Sequence, residues 1–233
     1  MSKVRRDNRD GSHADVREPG ITSRYYIALH NLSKLLKETI QCLPNQRKNR
    51  IILDLGCGDK PYQPFFAGQY SSYIGVDIDS RSLADINASG EYLPFKNGTF
   101  DVCICTQTYE HVIDPEQVTR EVDRVLKKKS VFLLSTHAID PVHNYPSDYW
   151  RWTDQGLRIL LGEYFSSIVV HEVITPLETI SQLAVNYLPT NKLGTLCSIL
   201  VNKLAVFVGK NSFNTRLPRL VGLYLVVAEK GQN

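Results

Sequence analysis

The sequence predicts an α/β fold of three layers, in which a mainly parallel sheet of seven strands carries helices on both faces. Short apolar runs alternate along the 233 residues with segments of helical spacing, and this rhythm favours parallel pairing through right-handed crossovers. The first two of these runs end in a carboxylate, which is typical of strands whose carboxyl ends face a ligand crevice. A hydrophobic fraction of 42% is ordinary for one such domain.

Composition excludes several classes of protein. The formal net charge of +3 is small, so we expect no nucleic acid partner. Five irregularly spaced cysteines indicate free thiols, and the start of the chain lacks the apolar core of a signal peptide, so we expect a cytoplasmic protein. Residues 1–20 are predicted to form a flexible tail and residues 21–233 a single domain, with residues 175–219 as a helical lid or insertion.

The first helix and the first two strands are predicted from their apolar spacing. Residues 23–42 have the pattern of an amphipathic helix. Residues 51–55 then form a buried strand that runs into Gly56 and Gly58, a tight turn where backbone passes close to a ligand. A second strand ends at Asp77, about 20 residues later, which is the offset at which nucleotide-type folds place an acid against ribose hydroxyls.

The remaining elements follow in the same rhythm. Further strands are predicted at residues 83–87, 100–106, 130–136, 167–173 and 222–228. Further helices are predicted from Asp114 to about Lys129, from Thr153 to about Phe165, and, as an insertion broken near Pro189, over residues 175–210. The apolar part of this insertion is too short for a membrane span, so we expect a packed helix with possible surface association. We expect the protein to be a monomer or a homodimer.

Several motifs occur in a fixed order along the chain. They are Asp54-Leu-Gly-Cys-Gly58, Gly75-Val-Asp77, Leu93-Pro-Phe95, Phe100-Asp101, Glu110-His111, and then Tyr149-Trp-Arg-Trp-Thr153. This order resembles the class I S-adenosylmethionine-dependent methyltransferases, in their type 11-like branch, over roughly residues 50–165. The resemblance implies a Rossmann-like sheet, methyl transfer from S-adenosylmethionine and release of S-adenosylhomocysteine.

The resemblance also implies which residues contact the cofactor. Asp77 is expected to accept hydrogen bonds from the ribose hydroxyls, and Asp54 to order the turn and the donor's amino group. Ser89 stands where the family commonly has an acid that contacts adenine. The full expected set is Asp54, Gly56, Cys57, Gly58, Asp77, Ile78, Ser89, Gly90, Thr106 and Gln107.

The acceptor side is predicted from side-chain chemistry. A hydroxyl acceptor must lose a proton, so the candidate catalytic residues are His111, His137 and His143, with O-methylation of a small, sugar- or lipid-linked molecule as the main hypothesis. Candidate substrate contacts are Tyr25, Tyr26, Glu110, Tyr145 and Arg151. No metal site is predicted, because the thiols of Cys103 and Cys105 lack further ligands at zinc spacing.

Three alternatives remain open from the sequence alone. N-methylation needs less help from a base, because an amine can arrive neutral. A dinucleotide-dependent oxidoreductase is disfavoured, because Pro61 stands where the third glycine of that fingerprint would fall. A non-catalytic protein that keeps the cofactor fold as a regulatory or scaffolding module is the third.

Overall fold

A computed structural model describes residues 16–43, 49–143, 146–210 and 219–232. The strands are β1 Arg50–Leu55, β2 Tyr70–Asp77, β3 Ile86–Asn87, β4 Phe100–Thr106, β5 Leu126–His137, β6 Ser167–Glu172 and β7 Leu223–Glu229. The helices are α1 Tyr26–Gln41, α2 Pro115–Val125, α3 Asp154–Gly162, α4 Pro176–Asn186 and α5 Lys192–Lys210, with a short 3-10 helix at Gln63–Phe66. The first 15 residues of the predicted flexible tail lie outside the described residues.

One seven-stranded sheet organises the protein, in the order β3-β2-β1-β4-β5-β7-β6. The pairs from β3 to β5 are parallel, whereas β7 runs antiparallel to both of its neighbours. The predicted α/β fold with a mainly parallel sheet is therefore confirmed. The strand order reverses between β1 and β4, which is where open sheets of this kind bind ligands.

Alternate side chains of the central strands fill two separate core layers. On one face α2 and α3 cover residues that include Leu53, Cys103, Cys105, Phe132 and Leu134. On the other face α1 covers residues that include Ile52, Val102, Ile104, Val131 and Leu133. The period of two in a strand produces this division, and it places both predicted structural thiols inside the first layer.

The boundary between α2 and β5 differs from the prediction. The helix ends at Val125 instead of about Lys129, and β5 begins at Leu126 instead of Ser130. Leu126 is buried and pairs with Phe100 of β4, so core packing and strand pairing override the basic run that resembles a helix end. After Pro61 the chain forms only the short 3-10 helix, with Pro64 in its first turn.

The described part of the predicted insertion forms α4 and α5, which pack beside α1, whereas residues 211–218 lie outside the described residues. Thr175 and Glu178 close a capping box at the start of α4. Gln182 on α4 then accepts a hydrogen bond from the amide of Ala28, and Asn202 on α5 donates to the carbonyl of Ile21. The insertion follows β6 and leads into β7. It therefore lies at the same end of the sheet as the carboxyl end of β5. No helix within the described part of the chain has the length and apolarity to cross a membrane.

Candidate functional site

The turn after β1 contains two glycines with different surroundings. Gly56 has a φ of +67°, and a Cβ there would lie 2.2 Å from Oγ1 of Thr108. Gly58 has a φ of +47°, but apart from its own atoms and its two chain neighbours no heavy atom of the described residues lies within 4 Å of the place that its Cβ would take. Gly56 is therefore required by packing, whereas Gly58 presents bare backbone to open space that a ligand can enter.

Asp77 stands at the end of β2, directly beside this turn. Its Oδ2 accepts a hydrogen bond of 2.8 Å from the amide of Gly58, and its Oδ1 accepts one of 2.8 Å from the amide of Asp79. A carboxylate offers about four acceptor positions, so two remain for hydroxyl donors of a ligand. Ile78 follows with 68% of its surface exposed, which leaves an apolar wall next to this acid.

Asp54 lies beneath the turn. It is buried, and Oδ2 accepts a hydrogen bond of 2.6 Å from the hydroxyl of Tyr73. Burial raises the pKa of Asp54 to about 7, although the bond from Tyr73 and the charge of Lys60 act in the opposite direction. The nearby Cys57 is also buried.

Lys60 is a polar element of the turn that sequence reasoning missed. Its φ is +54°, and its Nζ donates a hydrogen bond of 2.6 Å to Asp85 Oδ2, which also accepts one of 2.7 Å from the amide of Gly75. A Cβ at Gly75 would lie 2.4 Å from Cε of Lys60. The signal available in the sequence was Gly75 itself, because glycine inside a strand often marks a close approach.

The remaining cofactor candidates lie along the same edge. The hydroxyl of Ser89 donates a hydrogen bond of 2.9 Å to Glu91, so an adenine contact by this hydroxyl would compete with that bond. Gly90 packs against Leu55, and its Cβ would lie 3.3 Å from Cδ1 of that leucine. Gln107, next to Thr106 at the end of β4, has a φ of +52° and bonds to Ser135 of β5 through both its amide and its side chain.

A glutamate and a histidine meet where β4 and β5 end. Glu110 is completely buried, and its Oε2 accepts a hydrogen bond of 2.9 Å from Thr136. Its Oε1 has no hydrogen-bond partner among the described residues and lies 3.6 Å from Nε2 of His137. Burial raises the pKa of Glu110 to about 7 and lowers the pKa of His137 to about 3.

The structure brings the three predicted histidines together. The ring of His143 lies 5.6 Å from that of His137 and 5.1 Å from that of His111. Burial lowers the pKa of His143, whose Nε2 is 3.7 Å from Oδ2 of Asp140. Nδ1 of His111 is 2.5 Å from the carbonyl oxygen of Ser147, which requires a proton on Nδ1 and leaves Nε2 as an acceptor in the neutral ring.

Two of the substrate candidates are engaged by neighbouring residues in the structure. The five N–H groups of Arg151 donate to Asp148 and to the carbonyls of Asp140, Pro141 and Trp150, so this side chain holds the loop together. Glu110 is completely buried, and its contact with a substrate stays a prediction. The sequence interpretation missed Asp148 as the partner of Arg151. The available indication was that the two residues are three positions apart.

Two of the other substrate candidates, Tyr25 and Tyr26, lie at the start of α1. Tyr25 is about half exposed, and Tyr26 stacks on His30 with ring centroids 5.2 Å apart. The C-terminal end of α1 leads into the start of β1. The two tyrosines lie at the N-terminal end of α1 and therefore towards the carboxyl ends of the strands. Tyr145 lies outside the described residues.

Comparisons with known proteins match the central part of the chain, where the motifs lie. Residues 53–134 match the family described as methyltransferase domain. An uncharacterized methyltransferase of Mycobacterium sp. (strain JLS) is 33% identical over 96 residues, which are 37% of this chain and 38% of that protein. The uncharacterized methyltransferase YcgJ of Bacillus subtilis is 29% identical over 126 residues, which are 46% of this chain and 48% of that protein. These matches thus span less than half of the relatives' length.

Solved structures share the fold over a longer part of the chain. The crystal structure of Bacillus subtilis YcgJ covers 88% of this chain and 99% of its own, with a TM-score of 0.55 and 20% identity. A Haemonchus contortus phosphoethanolamine N-methyltransferase in complex with S-adenosyl-L-methionine covers 95% of this chain and 60% of its own, with a TM-score of 0.58 and 16% identity. Residues 53–134 therefore match a methyltransferase domain, as the order of motifs predicted, and the solved structures share the fold.

Proposed function

We propose that this protein binds S-adenosylmethionine at the turn after β1 and transfers its methyl group to an oxygen of a small, sugar- or lipid-linked acceptor. The observation that carries the proposal is the pairing of Gly58 with Asp77. The glycine leaves an open approach to backbone, and the acid keeps acceptor capacity beside it. The cofactor supplies a methyl group that is already activated for displacement, so the protein mainly has to bind, align and exclude water.

Each acid of the turn has a distinct task in this proposal. Asp77 accepts hydrogen bonds from the two ribose hydroxyls, while the amides of Gly58 and Asp79 hold its carboxylate in place. Asp54, fixed by Tyr73, faces the donor's ammonium group, whose positive charge favours the ionised carboxylate. The exposed side chain of Ile78 covers one face of the adenosine.

His111 is the general base in the proposed O-methylation. The carbonyl of Ser147 fixes its tautomer, so Nε2 carries a free lone pair that can take the acceptor's hydroxyl proton. The ring stands beside His143 at the end of the sheet where the methyl donor is expected. The start of α1 and the insertion α4–α5 border the same edge, and we assign them to the lid that selects the acceptor.

Calorimetric titration separates this function from a dinucleotide-dependent oxidoreductase. The wild-type protein should bind S-adenosylmethionine and S-adenosylhomocysteine but not NAD. Asp77→Asn should weaken both sulfur compounds at least tenfold, because it removes the charge that strengthens two hydrogen bonds. Asp101→Asn is the matched control, since this aspartate bonds to Ile51 and Lys127 at the opposite edge of the sheet. Binding of NAD alone, or equal affinities in both variants, would contradict the proposal.

The base is tested once an acceptor is found by labelled methyl transfer into fractionated cell extract. His111→Ala should then lower the single-turnover rate by about a hundredfold, while the affinity for S-adenosylhomocysteine stays within about twofold of the wild type. An undiminished rate would remove His111 from the mechanism. Labelled product that carries the methyl group on nitrogen would replace O-methylation with N-methylation.

A further inference from the structure

Three ligand atoms converge where β4 and β5 end. One oxygen of Glu110 and one ring nitrogen each from His137 and His143 lie within 4.8 Å of one another. The separation between Oε1 of Glu110 and Nε2 of His137 is 3.6 Å. Ligands that bind a tetrahedral metal ion at 2.0–2.2 Å stand about 3.4 Å apart, so this pair is already close to that spacing.

The glutamate is positioned in the way that a metal ligand needs. Thr136 holds Oε2, and Oε1 is the free oxygen, buried and without a hydrogen-bond partner among the described residues. A buried carboxylate oxygen without a partner is costly in the folded protein. A cation between Glu110 and the imidazoles would satisfy this oxygen and both ring nitrogens at once.

The two histidines are held in place by the chain around them. His137 ends β5, and its carbonyl accepts a hydrogen bond of 3.0 Å from the amide of Trp152. The amide of His143 donates a hydrogen bond of 2.9 Å to Asp148, which also forms an ion pair with Arg151. The side chain of His137 is 15% exposed and that of His143 is 32% exposed, so an ion can reach the site from solvent.

We propose that Glu110, His137 and His143 bind a divalent first-row transition metal ion. Two imidazoles and one carboxylate suit zinc, iron, cobalt or manganese, whereas magnesium and calcium prefer oxygen ligands alone. Asp140, whose Oδ2 is 3.7 Å from Nε2 of His143, adds a second negative charge close to the site. The three residues leave coordination positions open, as catalytic metal sites do.

The inference deepens the proposed function and rests on it for the role of the ion. The cluster lies at the same end of the sheet as the glycine turn, where the acceptor is expected. An acceptor hydroxyl bound at an open position would have a lowered pKa, and His111 beside His143 would receive its proton. The metal would thereby orient the acceptor oxygen towards the methyl group.

Titration with Co²⁺ tests the site without any acceptor. Protein without a polyhistidine tag is treated with EDTA, desalted and titrated while visible absorption is recorded. We expect d–d bands that saturate at one equivalent and disappear when Zn²⁺ is added. His143→Asn, a change at a partly exposed residue, should weaken Co²⁺ at least tenfold, and Glu110→Gln, which keeps an acceptor for Thr136, should weaken it about a hundredfold or more.

His171→Asn is the matched control, because this histidine lies on β6 and is not part of the cluster. It should bind Co²⁺ as the wild type does. Far-UV circular dichroism and calorimetric binding of S-adenosylhomocysteine verify that each variant is folded. Absence of saturable Co²⁺ binding in the wild type, or equal binding in His143→Asn, would overturn the metal site. Failure of S-adenosylhomocysteine to bind would instead refute the proposed cofactor.

Discussion

Asp54→Asn is expected to stabilise the protein in the absence of cofactor, and to do so increasingly as pH rises. Burial raises the pKa of Asp54 from its ordinary 3.8 to about 7. The folded protein therefore holds this proton more tightly than the unfolded chain does. The stability that Asp54 contributes is complete below pH 3.8 and is lost as pH rises towards 7.

The size of the effect follows from the same two values. At 1.36 kcal/mol per pKa unit, the ionised carboxylate lowers the free energy of unfolding by roughly 4 kcal/mol above pH 8. Most of this loss develops between pH 4 and pH 7. Asparagine keeps an oxygen that can accept the hydrogen bond from Tyr73 but carries no charge. The stabilisation by Asp54→Asn should therefore grow by about 2–3 kcal/mol between pH 5 and pH 8.

Urea unfolding at pH 5, 6, 7 and 8, without cofactor, measures the difference directly. Tyr73→Phe serves as the companion variant, because it removes the hydrogen bond that lowers the pKa of Asp54. It should make the loss of stability with pH steeper, which is opposite to the effect of asparagine. A stability difference between Asp54→Asn and the wild type that is the same at every pH would refute the reasoning. Asp54→Asn should also bind S-adenosylhomocysteine more weakly, since the charge that faces its ammonium group is gone.

Substitutions at three further positions test the turn and the insertion. Gly56→Ala should lower the free energy of unfolding, measured in urea, by about 2–4 kcal/mol, because the alanine would combine a positive φ with steric overlap against Thr108. A change below about 1 kcal/mol would contradict this packing. Gly58→Ala should lower the free energy of unfolding by about 1–2 kcal/mol, because of the positive φ alone, and should weaken the binding of S-adenosylhomocysteine at least tenfold in calorimetry. Unchanged affinity would remove this glycine from the cofactor site. Thr175→Ala should lower the free energy of unfolding by about 1 kcal/mol in the same assay, and Thr175→Ser, which retains the capping hydroxyl, by less than half of that. Equal losses of stability in the two variants would exclude the cap as the cause.

The sequence determined the order and type of the elements. Apolar period and capping residues predicted the central strands, and Asp114 and Thr153 cap α2 and α3 as their sequence positions suggested. The motifs around Gly56, Asp77 and Glu110 also identified the family that the comparisons then matched. These features are local, because capping and periodicity act between residues a few positions apart.

The tertiary structure decided whatever depends on residues far apart in sequence. The end of α2 was predicted too late, because Leu126 is drawn into pairing with Phe100 across the sheet. Lys60 gained its role only through Gly75 and Asp85, which approach it from β2 and the segment after it. The free oxygen of Glu110 beside His137 exists only because β4 and β5 end side by side. Burial, unlike residue order, is a property of the assembled fold, so the tertiary structure also decided the pKa of Asp54.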